Sequence, residues 1–192
     1  MTLANEMLVF MLEEPSAKEF LDHLLPELLP PDILFQTIPH RGKHDLQKSL
    51  PRKLRAWQTP ARFVVLHDQD SNDCEQLKEE LQAICREAGR EDTVVRIACR
   101  ELEAWYFGDL AALQTAFPKA PIKDFQGKVR YRDPDAIQKP SAELESRVQG
   151  FQKGKAARTI PEHMDMEKNR SHSFNVLIRA VERLGEEIAS PG

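Results

Sequence analysis

Cysteine is scarce in this 192-residue chain: Cys74, Cys85 and Cys99 are odd in number and form no CxxC pair. That excludes a disulfide framework and a structural zinc site of the usual spacing, and it points to reduced thiols in a cytoplasmic protein. Long apolar runs are missing too. None approaches a membrane span, and the opening MTLANEM carries no secretory-signal pattern. Glycine is limited to eight residues and no GxxxxGK(S/T) loop occurs, which excludes a P-loop. Positive charge is not in surplus. With 27 Lys and Arg against 31 Asp and Glu the net charge is −4, so a polyanionic partner has to be met by a local basic patch or by a bound metal.

What is present is a chain 41% hydrophobic and 30% charged, the composition of one globular domain with a sizeable core. Apolar runs alternate with helical periodicity. Residues 7–12 (MLVFML) read as a buried strand. From Ser16 the face of Phe20, Leu21, Leu24, Leu25 and Leu28 predicts a helix, with Ser16 and Glu19 as a capping box and Pro26 as a kink in its last turn. DILFQTIP is a second strand, followed by a helix over about 45–57. Residues 62–67 (RFVVLH) form a third strand, then a helix carries Leu77, Leu81, Ile84, Cys85 and Ala88. Residues 93–99 (TVVRIAC) are the fourth strand, and 100–117 read as largely helical. Four such strands predict a mainly parallel sheet covered on both faces, with the strand C-terminal ends along one rim where ligands bind. Residues 118–140, with four prolines at 118, 121, 134 and 140, read as loop. Short helices are expected at 141–152 and 154–166, and a last one from Ser171 or Ser173 through Leu184. Residues 1–192 are read as a single domain, an α/β core over 1–117 with a loop and helical extension over 118–192 packed on it.

The third strand ends FVVLHDQDSND, with Asp68, Asp70 and Asp73 crowded behind an apolar run. In an extended segment Asp68 and Asp70 point the same way, and two carboxylates on one side suit Mg²⁺ or Mn²⁺. The alternative is punctuation: Asp68 ends the strand, and Asp70 or Asn72 caps the next helix. Spacing alone leaves both open. A second acidic pair, Glu13 and Glu14, closes strand one on the same rim. Glu14 has a solvent-facing reading in the turn, which leaves Glu13 as the third ligand. Glu101 and Glu103 open the helix after strand four. The helix dipole favours acids there without any function, and each is also a candidate metal ligand. Trp105 reads as core.

The stretches LEEPSAKEFLDHLLPELL, HRGKHDLQKSLPRKLRAW, FVVLHDQDSNDC, RIACRELEAWYFGD and KNRSHSFNVLIRAV together resemble a family of small TOPRIM-like proteins of unknown function, often encoded beside an ABC-type ATPase. A Glu after the first strand and a DxD after the third are similar to the signature of TOPRIM domains in topoisomerases, primases and nucleases of the overcoming-lysogenization-defect type. The chain departs from the family at Glu14, where glycine is usual. The resemblance implies a TOPRIM/Rossmann-like α/β fold and Mg²⁺-dependent phosphodiester chemistry, with Mn²⁺ able to substitute. Asp68 and Asp70 would be the central ligands, and Glu13 a third ligand or general base. It also implies a nucleic-acid substrate, an ATPase partner and a role in defence against mobile elements. Tyr106 lies on an apolar helix face and Tyr131 in the irregular region, so neither is placed as a topoisomerase nucleophile and hydrolysis is the expectation.

Basic residues give the nucleic-acid reading separate footing. Lys48, Arg52 and Arg55 project opposite the inward Leu46, Leu50 and Leu54, and Arg41, Lys43 and His44 lead in from strand two. A solvated helix face is the plain alternative for Arg52 and Arg55. Arg96 and Arg100 lie near the rim acids, where Arg100 is a phosphate-binding candidate. The tail offers Lys153, Lys155, Asn169, Arg170, Ser171 and Ser173. The serines read as N-caps, and Lys155 or Arg170 as a neutraliser of transition-state charge. His40 and His44 straddle a glycine-containing turn, which argues against a zinc pair. Two other functions compete with a nuclease. One is a phosphatase using Asp68 as nucleophile; the other is a non-catalytic, metal-binding regulatory partner of an ATPase.

Overall fold

The computed structural model describes residues 6–190. Four strands, β1 (Met7–Leu12), β2 (Phe35–Pro39), β3 (Ala61–Asp68) and β4 (Val94–Ala98), form an all-parallel sheet in the order β2-β1-β3-β4. The connecting helices are α1 (Pro15–Leu28), α2 (Lys43–Ala56) and α3 (Cys74–Glu87). The chain starts in the middle, steps outward to β2, and returns past β1 to β3. Right-handed crossovers therefore put α1 on one face and α2 and α3 on the other. The reversal falls between β1 and β3, so the crevice at their C-terminal ends is the topological switch point, where open α/β sheets bind ligands.

Alternation along the strands builds two cores. Leu8, Phe10 and Leu12 of β1 and Val64 and Leu66 of β3 face α1, whereas Val9, Met11, Phe63 and Val65 face Leu46, Leu50 and Leu54 of α2 and Leu77 and Leu81 of α3. Both faces are buried, which explains why these strands read as continuous apolar runs.

The remaining chain covers the α1 face. It comprises α4 (Ala104–Gly108), α5 (Leu110–Ala116), α6 (Ile122–Gly127), α7 (Pro140–Arg147), α8 (Lys153–Thr159) and α9 (His172–Ala189). Phe125, Leu144, Phe151, Phe174 and Leu177 of this part share one hydrophobic cluster with β1 and α1. Trp105 is fully buried, with its ring 5.4 Å from Phe20 and 5.5 Å from Phe174. Among the described residues no helix is long and apolar enough to cross a membrane.

Several element bounds depart from the sequence reading. The expected helix over 100–117 breaks at Asp109, whose carboxylate accepts from the amides of Ala112 (3.0 Å) and Asp165 (2.8 Å) and so starts α5 anew. The expected 118–140 loop contains α6 and two 3-10 turns, and the expected helix over 154–166 stops at Thr159 before a turn at Pro161–His163. The capping box does not form. Proline's fixed φ suits the first helical position, so α1 starts at Pro15 with Glu14 before it, and the Ser16 hydroxyl donates to the Glu14 carboxylate. Ser171 does cap α9, accepting from the Phe174 amide at 3.2 Å. Ser173 lies within the first turn and accepts instead from the Trp105 indole at 2.9 Å.

Candidate metal centre

Asp68 is the last residue of β3 and, by alternation with Val64 and Leu66, lies on the α1 face. The Glu13 amide donates to the Leu66 carbonyl at 3.3 Å, continuing β1, and Glu14 is still extended at φ −140° and ψ 162°. Alternation therefore turns Glu13 to the α2 side with Met11 and turns Glu14 to the Asp68 side with Leu12. Past β4, the Leu102 amide donates to Asp68 Oδ1 at 3.1 Å, which holds the 101–103 turn against the end of β3 and delivers Glu103. One oxygen from each of Glu14, Asp68 and Glu103 then lies within 4.8 Å of the others. Lys153, the first residue of α8, sets its ammonium 3.5 Å from Glu14 Oε1 and 3.4 Å from Glu103 Oε1.

The electrostatics follow from this crowding. Burial pushes the Asp68 carboxyl well above the usual range, and the charges of Glu103, Glu14 and Glu13 push it further. Burial likewise raises Glu103 to about 7, against the pull of Lys153 and with a push from Glu14. Burial works against the Lys153 ammonium, but Glu103, Glu14 and Asp68 outweigh it and its pKa is raised. Among the described residues, two polar atoms here are buried with no partner: Glu103 Oε2 and the Tyr106 hydroxyl, whose pKa is raised by burial and then by Glu103, Glu14 and Asp68. Orphaned polar atoms of this kind are uncommon in native interiors, and these two stand beside three carboxylates that could hold a metal ion.

The family model for a domain of unknown function, DUF4276, matches residues 12–182. The chain belongs to this family. No curated protein and no solved structure matches it. The DUF4276 match runs from the end of β1 into α9, so it takes in Glu14, Asp68, Glu103 and Lys153 as well as the helical extension.

Among the sequence-derived candidates, then, Asp68 and Glu103 enter the carboxylate cluster, and Glu13 and Asp70 stand beside it. Glu13 Oε2 accepts from the Asp68 amide at 2.9 Å and lies 2.9 Å from Nδ1 of the buried His67. Burial alone would raise Glu13, but His67, the Asp68 amide and Lys43 together hold it below its ordinary value. His67 is raised by Glu13 against its own burial. Asp70 does not point the same way as Asp68. β3 ends at Asp68, and Asp70 takes a left-handed φ of 52°, donating its amide to the Arg100 carbonyl at 2.7 Å with its side chain exposed. Glu101 is drawn off to the Ser141 amide at 2.8 Å, where it anchors the start of α7.

The basic candidates divide similarly. Lys43 opens α2 close enough to act on Glu13 and Asp70, and Gly42, at φ 91°, donates its amide to the Glu13 carbonyl at 2.9 Å. Arg41 and Lys48 are exposed, with the Arg41 amide donating to Asp45 at 2.9 Å. Arg100 reaches the Asp70 carbonyl at 3.3 Å. Lys155 lies over the Phe117 ring at 5.4 Å, away from the acids. Arg170 is spent on structure, donating to the carbonyls of Phe107 (2.8 Å) and Arg132 (3.2 Å). Both His40 nitrogens are taken by other partners: Nδ1 donates to the Leu12 carbonyl at 2.8 Å and Nε2 accepts from the Lys53 ammonium at 2.8 Å. The sequence reading set Glu14 aside in favour of Glu13, named Lys153 only among the tail cations, placed Tyr106 on an apolar face, and read His67 as a rim residue with no role in the site. Parity counted back from Asp68 across the β1–β3 register identifies Glu14, but that register is not written in either strand.

Proposed function

We propose that this protein is a Mg²⁺-dependent nuclease of TOPRIM type, hydrolysing phosphodiester bonds in DNA or RNA. The observation that carries the reading is the convergence of Glu14, Asp68 and Glu103 at the switch point, with Glu103 Oε2 buried and unpartnered. The donor set fits the ion. Three carboxylates, with no thiol or imidazole among them, form a hard-oxygen site suited to Mg²⁺ or Mn²⁺. Such an ion supplies positive charge where a phosphodiester gains negative charge during cleavage.

The chain's own residues do the rest. The Leu102 amide fixes the Asp68 carboxylate. Glu13 is held ionised, and a carboxylate of lowered pKa accepts protons poorly, so its part is to orient His67 and the Asp68 amide rather than to act as general base. Arg41 and Lys43 border the rim at the start of α2, Lys48 follows further along the helix, and these supply a track for phosphates, to which Arg100 adds from just past β4. The family resemblance extends the proposal to a cytoplasmic setting, an ABC-type ATPase partner and a defence role.

The test is cleavage of end-labelled DNA and RNA with Mg²⁺, with Mn²⁺ and with chelator. Wild-type protein is expected to cut one of them only with a divalent ion, and Asp68→Asn and Glu103→Gln to lose the activity by at least about a hundredfold. Cleavage that persists in chelator, or undiminished in both variants, overturns the proposal. Mn²⁺ binding without cleavage of either polymer would favour the regulatory reading instead.

A further inference from the structure

Lys153 holds an unusual place for a lysine. It is the first residue of α8, where the helix dipole presents its positive end and disfavours a cation. Its ammonium nonetheless turns inward, while Lys155, two residues on, lies over Phe117. The compensation is the carboxylate cluster. At 3.5 Å and 3.4 Å from Glu14 and Glu103, the ammonium stands astride two acids at distances beyond a close hydrogen bond, held by charge rather than by directed bonds. Its side chain is 34% exposed, so the stem reaches the site from the solvent side and can leave without disturbing the core.

One ammonium does not complete the site. Three carboxylates converge there, and among the described residues Glu103 Oε2 and the Tyr106 hydroxyl remain buried without a partner. A lysine offers one charge on a flexible stem. A divalent cation offers two charges and several coordination positions, which matches what is left unsatisfied. Both draw on the same Glu14 and Glu103 carboxylates, and their mutual repulsion at such short range makes joint occupancy costly.

We propose that Lys153 is a tethered counter-cation of the metal-free protein, displaced from Glu14 and Glu103 when a divalent cation binds and thereby released, beside the site, to meet an anionic ligand. This rests on the metal reading of the same cluster. Linkage then requires reciprocity: if the ammonium weakens the ion's binding, the ion must loosen the hold of the acids on the start of α8.

Two measurements on the full chain test this. Calorimetric titration with Mn²⁺ is expected to show Lys153→Met binding about tenfold tighter than wild type, with Lys153→Arg and Lys155→Met unchanged within about twofold. In wild-type protein, which needs no variant to fold, Mn²⁺ is expected to speed amide hydrogen exchange over residues 152–156. Equal or weaker binding by Lys153→Met, or Mn²⁺ binding with no change or with slowed exchange at 152–156, overturns the displacement and leaves the metal site standing. No Mn²⁺ binding by either wild type or Lys153→Met overturns both.

Discussion

Glu13 and Glu14 are neighbours that an extended backbone sends to opposite faces of the sheet, and their chemistry diverges accordingly. Glu13 joins an imidazole and an amide, which keep it ionised. Glu14 joins two other carboxylates and an ammonium. The glutamate at the position where the resemblance expects glycine is therefore the one that meets Asp68. Glu14→Gln is expected to weaken Mn²⁺ binding by about 1–2 kcal/mol, a factor of roughly ten, because an ion ligand is neutralised. Glu13→Gln should leave Mn²⁺ affinity within about threefold, since Glu13 touches the site only through the Asp68 amide. Calorimetry that returned the opposite ranking would show that parity does not decide the ligand.

At the scale of elements, the site depends on how the chain leaves each strand. β3 ends in a left-handed turn at Asp70, β1 runs straight into a proline-started helix, and β4 passes through Arg100, also left-handed at φ 63°, into the turn that carries Glu103. That turn is braced from behind by the extension. Asn169 donates to the Trp105 carbonyl at 3.0 Å and accepts from the Ser171 amide at 2.8 Å, locking α4 to the start of α9. Gly108 gives this brace its room: a Cβ there would stand 1.9 Å from Asn169 Oδ1, and Asn169 is itself buried. Gly108→Ala should therefore cost about 2–3 kcal/mol in urea unfolding, through overpacking and the loss of one or both Asn169 hydrogen bonds. A cost below about 0.5 kcal/mol would mean that the brace gives way freely.

For the whole molecule, the buried acids make stability a function of pH. The Glu103 carboxyl, ordinarily near 4.5, is raised to about 7 in the folded protein. Between those values the folded chain keeps a proton that the unfolded chain has released, so metal-free stability falls as pH rises from about 4.5 to about 7 and is level above it, as far as Glu103 is concerned. Divalent-ion affinity runs the other way, rising over the same window as the carboxyl sheds its proton. Thermal melts of metal-free protein at pH 5 and 8 should show this decline, and Glu103→Gln should flatten it. Equal slopes in wild type and variant would mean that Glu103 titrates normally.

The α/β layering and its mainly parallel sheet were legible from apolar runs alternating with helical periodicity, because burial on both faces leaves a local mark in every strand and helix. So was the rim as a place for acids, since Asp68 and the 13–14 pair directly follow apolar strands. The 118–140 stretch was not legible: its helix and turns are held by contacts of Phe125 and Tyr131 with Phe107, remote in sequence. Nor was the membership of the cluster. Composition put several acids and lysines near one edge, but which oxygens converge depends on the register of β1 against β3, on the turn at Asp70, and on α8 returning Lys153 from 85 positions beyond Asp68. Local propensity acts through neighbours along the chain, whereas charge and burial act through space, and only the folded chain decides which charges are brought within reach.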